Sequence, residues 1–355
     1  SHNRDGGTLR HVYELAAHLQ DQANFLLLTP APNKRVRLRM GAPKEGFDLE
    51  FSIPDELDAL VDTLRSLGVR LVHYQHLLGH DPLILQLAYR LQVPHVFTAH
   101  DFYSFCKHIS LTGDKNKYVP EPQLGTCACC KPHEAGPVLG SSMEQWRDNN
   151  GMLLTAARQV ITPSQDTTRR MAAFAPSANV LTVPHTDAPS AEALAALQVP
   201  ALAEGGNLRI VVLGALSVIK GADVLEAVAL EAAKKGIKIE FHLLGFGYRN
   251  LATQPKAALT VHGAYEEKEL PQLLEWINPH LVWFPAQWPE TYSYTLSACL
   301  LAGLPVAVPD VGAFAERVAG RAWSWVRPWD EAPAQWLQWF AQIRDQHFVT
   351  GVGPT

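Results

Sequence analysis

The sequence lacks the features of membrane-spanning and nucleic-acid-binding proteins. No apolar stretch reaches the roughly 20 residues that a membrane-spanning helix needs, and Ser1 begins no signal peptide. Charged residues make up only 18% of the chain, the formal net charge is −5, and no Lys/Arg run is dense enough to follow a phosphate backbone. We therefore expect a cytoplasmic protein that does not bind nucleic acid.

Cysteine is also scarce, and its distribution excludes one further class. The chain has five cysteines, an odd number, and four of them fall between Cys106 and Cys130. A small secreted protein held by disulfides has an even, spaced set. The sequence is therefore not that of a disulfide framework.

What is present is an alternation of short apolar runs with amphipathic helical stretches. The chain has 355 residues, 47% of them hydrophobic, and at roughly 150 residues per domain this length predicts two domains. Runs of this kind predict strands buried on both faces of parallel sheets that are covered by helices. The predicted strands lie at 25–29, 69–74, 95–100, 159–164 and 179–185, and, after a lapse into Ala, Pro and Gly, at 208–214, 239–245, 259–263, 281–285 and 304–309.

The segment rich in Ala, Pro and Gly between the two groups of predicted strands gives the expected domain boundaries. We expect an amino-terminal Rossmann-like domain over residues 1–190, a linker over 191–206, and a second Rossmann-like domain over 207–328. Ligands of open parallel sheets bind outside the carboxyl ends of the strands. If the two doubly wound domains face each other, their cleft is lined by the loops at 2–8 and 98–105 on one side and at 214–221 and 284–295 on the other.

These residues carry a resemblance to a known family. "PETYSYTLSACLLAGLPV" (289–306) is similar to a signature of family four glycosyltransferases, the retaining enzymes of GT-B architecture that use nucleotide sugars. "GGTLRHVYELAAHL", "VITPSQDT", "TVPH" and "KGADVL" agree with that family in order and spacing. "HDFYSFC" (100–106), followed by clustered cysteines, resembles a subset that builds bacterial surface polysaccharides. The resemblance implies a nucleotide-diphosphate sugar donor, a glycan or lipid-linked glycan acceptor, peripheral membrane association as an option, and neither a cofactor nor a metal.

A departing nucleotide diphosphate develops negative charge, and the sequence offers groups that can stabilise it. Ser293, Tyr294 and Thr295 open a predicted helix, whose amino terminus attracts anions. Lys220 adds a full positive charge at the start of another helix. Lys220 also has a structural interpretation, since a lysine at this place could simply be solvated. We favour the phosphate role.

Glu290 and His100 are the predicted groups on the sugar side. Glu290 precedes the helix donors and suits hydrogen bonding to sugar hydroxyls, as the first glutamate of the resembling family does; alternatively, it is only a helix-terminal charge. His100 ends a predicted strand and matches the family's cleft histidine; alternatively, it is a hydrogen-bonded core histidine. We predict that Glu290, His100 and Lys220 form the catalytic set.

Four further residues complete the predicted donor site. Gly6 and Gly7 permit close backbone approach but could be mere turn residues, and Gly214 begins the first loop of the second domain. Tyr265 follows a predicted strand and could stack on a base. His11, one turn beyond the glycines, is a weaker candidate. "GFG" at 245–247 lacks the third glycine of a dinucleotide fingerprint, so a nicotinamide cofactor is not indicated.

Two positions depart from the family pattern. Ala298 stands where the family has a second glutamate that binds ribose, and Ala215 stands where an arginine often precedes the lysine. The alternative to an enzyme is therefore a non-catalytic glycan-assembly or binding subunit that keeps the fold. A sugar-nucleotide epimerase, which shares the architecture, is a third and weaker hypothesis.

The clustered cysteines leave two alternatives. Cys127 and Cys130 have the spacing of zinc ligands, and Cys106 with His108 could supply a second pair. The resembling proteins, however, often have a cysteine where this chain has Tyr118. We therefore favour reduced structural thiols under a loop and expect no metal.

Two expectations concern the ends of the chain. A glycine loop of the kind at 2–8 follows a strand, so we expect the first strand of the amino-terminal sheet to be absent from this sequence. The helical pattern within residues 329–355, with Trp336, Trp339, Phe340 and Ile343 on one face, predicts a last helix that crosses back to the first domain.

Overall fold

The computed structural model describes residues 1–3, 6–42, 46–187 and 196–354, which form two compact units. The first unit comprises residues 1–111 and 119–186, and the second comprises 112–118 and 187–355. The assignment of 112–118 to the second unit is a feature that the sequence analysis did not anticipate. In that unit the Tyr118 amide donates to the Gln287 carbonyl over 2.9 Å. Part of the expected linker, 191–195, lies outside the described residues.

The first unit contains a parallel sheet and a separate antiparallel sheet. Its elements are α1 (Gly7–His18), β1 (Phe25–Ala31), β2 (Arg35–Ala42), β3 (Asp48–Ser52), α2 (Leu57–Ser66), β4 (Val72–Tyr74), a 3-10 helix (Pro82–Gln86), α3 (Leu87–Leu91), β5 (His95–Thr98), α4 (Met143–Ala156), β6 (Gln159–Thr162), α5 (Gln165–Phe174) and β7 (Val180–Thr182). Four parallel strands pair in the order β4-β5-β6-β7, and β1, β2 and β3 form the antiparallel sheet.

The placement of β1 in a parallel sheet was wrong. The run at 25–29 is a strand, but it pairs with β2 in an antiparallel hairpin. Asn33 and Lys34 both adopt left-handed backbone, with φ of 59° and 56°, and this conformation reverses the chain tightly enough for adjacent strands to pair. A parallel neighbour would need a crossover of a dozen residues or more.

The parallel sheet of the first unit begins with β4 at its edge. In the part of the chain that the structure describes, no other strand pairs with the outer side of β4. The expectation that the first strand of this sheet is absent from this sequence stays a prediction.

The second unit has a doubly wound sheet. Its elements are β8 (Leu208–Leu216), α6 (Ala222–Lys235), β9 (Ile239–Gly247), β10 (Leu259–Gly263), a 3-10 helix (Glu267–Glu269), α7 (Leu270–Ile277), β11 (Leu281–Trp283), α8 (Tyr294–Leu301), β12 (Val306–Pro309), α9 (Phe314–Val318), β13 (Ser324–Arg327) and α10 (Pro333–Ile343). All pairings are parallel, in the order β10-β9-β8-β11-β12-β13. This is the Rossmann order, which reverses between β8 and β11, and it confirms the predicted fold class.

Helix α10 packs against the core of the second unit. The ring of Trp336 lies 4.9 Å from that of Trp283 in β11, and Phe340 lies 5.9 Å from Phe241 in β9. The predicted face of the helix is thus buried within its own unit. Its crossing back to the first unit stays a prediction.

Among the described residues, no helix combines the length and the hydropathy that crossing a membrane requires.

Candidate functional site

The reversal of strand order in the second unit creates a crevice at the carboxyl ends of β8 and β11, where ligands of such sheets bind. Two glycines make the end of β8 close-packed. A Cβ on Gly245 would lie 2.0 Å from the Gly214 carbonyl oxygen, so β8 and β9 approach each other only because Gly245 has no side chain. A Cβ on Gly214 would meet Thr295 at 3.9 Å. The start of α8 therefore lies over the end of β8.

Helix α8 begins at this crevice with a well-formed cap. The Ser293 hydroxyl accepts a hydrogen bond from the Leu296 amide over 3.3 Å and lies 3.1 Å from the Thr295 hydroxyl. Ser293 is extended, with φ −161° and ψ 105°, as an N-cap residue should be. The first turn, with Tyr294 and Thr295, therefore presents the positive end of the helix dipole.

Glu290 lies in the loop between β11 and α8, and its backbone is fixed from two directions. Its amide donates to the Trp288 carbonyl over 3.0 Å, and its carbonyl accepts from the Ala313 amide over 2.8 Å. Gly312 has a φ of 71°, and a Cβ there would lie 2.5 Å from the Glu290 carbonyl oxygen. The close contact between the 312–313 segment and the Glu290 backbone therefore depends on a glycine at position 312.

The Glu290 side chain is half-buried and lies near two cations. Burial raises the pKa of Glu290, and the positive charges of Lys220 and Arg317 oppose that rise. A carboxylate at an exposed helix terminus would not experience this desolvation. The structure thus brings Lys220 and Glu290 close enough to interact electrostatically.

Lys220 precedes α6 in a loop that packs tightly on the β11–α8 loop. A Cβ on Gly221 would lie 2.0 Å from the Pro285 carbonyl oxygen, and the Gln287 amide donates to the Ile219 carbonyl over 2.7 Å. Lys220 itself is exposed. Its ammonium group is therefore accessible to a ligand while its backbone is held in place.

Arg317, in α9, is a site residue that the sequence analysis missed. Its guanidinium donates to the Ser293 carbonyl and to the Ser297 hydroxyl, both over 2.7 Å, and lies 4.1 Å from the centre of the Tyr292 ring. Burial lowers its pKa. No local pattern marks this arginine, because the fold of β12 and α9 is what returns it to the start of α8.

Tyr265 and the two departures from the family pattern lie in different surroundings. Burial raises the pKa of Tyr265 to about 12, and the residue packs, half-buried, against the core cluster that includes Leu296 and Cys299. Ala298 is half-buried against the same cluster, whereas Ala215 is exposed at the end of β8. Tyr265 is therefore packed in part against protein atoms.

His100, in the first unit, lies in a cluster of histidines. Its Nε2 is 2.7 Å from the Gln75 side-chain oxygen, and its ring centre is 5.1 Å from that of His11 and 5.7 Å from that of His185. Burial, followed by the nearby histidines, lowers the pKa of His100 well below its usual range. His100 is therefore neutral at pH 7. His100 and His11 were candidates from the sequence, whereas His185 was not, because it follows a different strand and no local spacing relates it to them.

Gly6 and Gly7 lie exposed at the start of α1, where Gly6 has a φ of 146°. This backbone angle is one that glycine adopts far more readily than other residues. Arg4 and Asp5, within the same predicted loop, lie outside the described residues. The two glycines thus lie at the start of a helix, while their contact with a donor stays a prediction.

Several solved structures are similar to this chain. HepE from Anabaena, solved in complex with UDP-glucose, is 14% identical with a TM-score of 0.59, over 98% of this chain and 89% of that one. Sucrose-phosphate synthase from Thermosynechococcus elongatus is 14% identical with a TM-score of 0.52, over 82% and 69%. The lipopolysaccharide outer core galactosyltransferase WaaB is 11% identical with a TM-score of 0.52, over 82% and 71%. At these identities the likeness shows the shared two-Rossmann-domain fold. No curated protein matches the sequence significantly.

A family model provides the assignment that these structures do not. The model described as Glycosyltransferase Family 4 matches residues 5–186, more than half of the chain. The match covers the first unit, whereas the signature at 289–306 and the crevice of α8 lie in the second. The family resemblance seen in the sequence is thereby confirmed, and the chain belongs to Glycosyltransferase Family 4.

Proposed function

We propose that this chain transfers a sugar, with retention of configuration and without a metal, from a nucleotide-diphosphate sugar to a growing glycan of a bacterial surface polysaccharide. The observation that carries the proposal is the juxtaposition of Lys220, Glu290 and the start of α8 at the strand-order reversal of the second unit. A cytoplasmic location, with peripheral association at the inner face of the membrane, is part of the same proposal.

The donor diphosphate is assigned to the start of α8 and to Lys220. When the bond between the anomeric carbon and the diphosphate oxygen breaks, the oxygen keeps the electron pair; the acceptor hydroxyl oxygen bonds the carbon on the same face, and its proton passes to the departing diphosphate oxygen. The helix dipole and the lysine charge stabilise the growing negative charge on the departing group. No metal is needed for that stabilisation.

Glu290 is assigned to the sugar hydroxyls. Burial raises the pKa of Glu290, and the flanking charges of Lys220 and Arg317 oppose that rise; in its ionised form the carboxylate is a strong acceptor for hydroxyl donors. Its backbone, fixed by Ala313 and Gly312, would hold the sugar in one orientation. For the first unit we propose His100, Gly6 and Gly7 as substrate-contacting residues.

The assignment of a glycan acceptor rests on fewer observations than that of the donor. The motif at 100–106 and its cysteines resemble surface-polysaccharide enzymes, and WaaB is a lipopolysaccharide outer core galactosyltransferase. UDP-sugars are the first donors to test because HepE was solved with UDP-glucose and the pneumococcal O-GlcNAc transferase GtfA with UDP and GlcNAc.

The second candidate is a non-catalytic glycan-assembly or binding subunit, and Ala298 and Ala215 are the observations that favour it. One experiment separates the two. The purified chain is screened with nucleotide sugars for a thermal shift and for release of free nucleotide diphosphate. A stabilising donor that is also slowly hydrolysed supports the transferase, and stabilisation without any hydrolysis or transfer supports the subunit. Absence of both effects with every donor would contradict the proposed donor site.

A further inference from the structure

The connection between β5 and α4 holds, in its part that belongs to the first unit, a cluster of thiols that the proposed function does not use. Residues 99–142 contain neither a helix nor a strand of regular structure, although all of them are described. Irregular connections of this length are uncommon in compact domains. Such a segment needs side-chain interactions to hold its shape.

Three buried sulfur atoms converge within this connection. The Sγ atoms of Cys106, Cys127 and Cys130 all lie within 4.8 Å of one another, and the three residues are 0%, 3% and 3% exposed. With Zn–S bonds of about 2.3 Å, the sulfur atoms of a tetrahedral site are about 3.8 Å apart. The observed spacing therefore suits three corners of a zinc tetrahedron.

Cys129 offers a fourth sulfur beside these three, and its Sγ must move closer to that of Cys106 to complete the set, because the group whose Sγ atoms all lie within 4.8 Å of one another comprises Cys106, Cys127 and Cys130. Its Sγ is 3.7 Å from that of Cys130 and 2.7 Å from that of Cys127. The longer distance matches the tetrahedral edge, and the shorter one needs the Cys129 side chain to rotate away by about 1 Å to reach it. The distance of 2.7 Å also exceeds the bond of about 2.0 Å in a disulfide.

The protein around the thiols supplies positive charge and N–H donors. Arg147 donates to the carbonyls of Phe105 and Cys130 over 2.9 and 3.2 Å, and the Lys107 amide donates to the Cys130 sulfur. The Cys130 amide donates to the Cys127 carbonyl over 3.2 Å, which closes the turn between them. Four thiolates around Zn²⁺ carry a net charge of −2, and such outer contacts stabilise that charge.

We propose that Cys106, Cys127, Cys129 and Cys130 bind one structural Zn²⁺ that holds the β5–α4 connection together. All four corners are protein ligands, so the site is closed and leaves no position for a substrate. The convergence of the sulfur atoms favours zinc over the unliganded thiols that the sequence alone suggested. His108 is not required.

The first test uses the full chain without a histidine tag, expressed with zinc and purified without chelator. We expect about one zinc per chain and, after exchange with Co²⁺, the visible and near-ultraviolet bands of a tetrahedral cobalt tetrathiolate. Iron in place of zinc, a Cys127–Cys129 disulfide in the unreduced intact mass, or a folded chain with no metal and four thiols open to alkylation would each overturn the proposal.

Variants test the ligand set. Cys106→Ser and Cys129→Ser should each weaken zinc in chelator competition by more than about 100-fold, since even lost outer contacts cost 10–100-fold. Cys299→Ser is the matched control, because Cys299 is buried in the core of the second unit, and its zinc content should be unchanged. Undiminished zinc affinity in Cys129→Ser would exclude the four-thiolate site. Because the wild-type cobalt spectrum is independent of the variants, a variant that fails to fold does not rescue the proposal.

Discussion

Gly312 allows the position of Glu290 to be tested without touching its carboxylate. In Gly312→Ala, the new Cβ would lie 2.5 Å from the Glu290 carbonyl oxygen and 2.6 Å from its amide nitrogen. Because both are backbone atoms, the loop must retreat by about 1 Å to restore ordinary contact. A shift of about 1 Å at a reacting group can cost about 10²-fold in rate.

The substitution also carries a cost that is unrelated to Glu290, and the chain offers a control for it. Gly312 has a φ of 71°, and alanine in that region costs about 1–2 kcal/mol. Gly320 has a φ of 70° with nothing within 4 Å of its Cβ position. Gly320→Ala should therefore introduce the same backbone strain without displacing Glu290.

The assay is release of nucleotide diphosphate from the donor that the screen identifies, with unfolding by denaturant measured in parallel. We expect both variants to lose about 1–2 kcal/mol of stability from strain, with a further loss in Gly312→Ala from the contact. Only Gly312→Ala should lose about 10²-fold in turnover. Equal turnover in the two folded variants would refute the role of the Glu290 position.

Three further predictions concern Arg317 at the start of α8, Ala298 in the same helix, and the buried histidine His73. Arg317→Lys keeps the charge but loses the two-pronged hydrogen bonding, so the free energy of unfolding should fall by about 1.5–3 kcal/mol; unchanged denaturant unfolding would contradict this. Ala298→Glu should leave donor affinity unchanged or raise it up to about tenfold, for one hydrogen bond of about 0.5–1.5 kcal/mol; a large loss in calorimetric titration, with the fold intact, would show that another group fills the space. His73, in β4, is one of the histidines that lower the pKa of His100, and burial lowers its own pKa to about 3, below about 6.5 in the unfolded chain. Its contribution to stability is thus present above pH 6.5 and is lost as the pH falls toward 3, by up to about 2 kcal/mol at pH 5. Equal free energies of unfolding at pH 7 and pH 5 would contradict this.

The sequence predicted the second unit better than the first. Every predicted strand from 208 to 309 is present, because central parallel strands are continuous apolar runs bounded by turns. The run at 25–29 has the same composition, yet it belongs to a hairpin. Its partner β2 alternates arginine with apolar residues and gave no signal as a buried strand. The turn at Asn33 and Lys34 makes β1 pair with β2. The pattern of apolar residues does not include this turn and so could not predict the pairing.

The site was predictable only where its residues share a local motif. Glu290 and the start of α8 lie within one continuous signature, so spacing alone related them. Arg317 reaches the same helix from the far side of β12, and Gly312 is required by a contact with the Glu290 backbone. Such relations depend on the folded path of the chain and leave no periodicity in the sequence.

The central claim is that Lys220 binds the diphosphate of the donor while Glu290 acts on its sugar. The most direct measurement is calorimetric titration with UDP of the wild type, Lys220→Ala, Glu290→Gln and Lys234→Ala. Lys234 lies in the last turn of α6, the helix that Lys220 precedes, and serves as the charge-matched control. Loss of a charged hydrogen bond of about 1.5–3 kcal/mol predicts about 10- to 150-fold weaker UDP binding in Lys220→Ala, with the other two variants like the wild type. Equal UDP affinity in all four proteins would contradict the account.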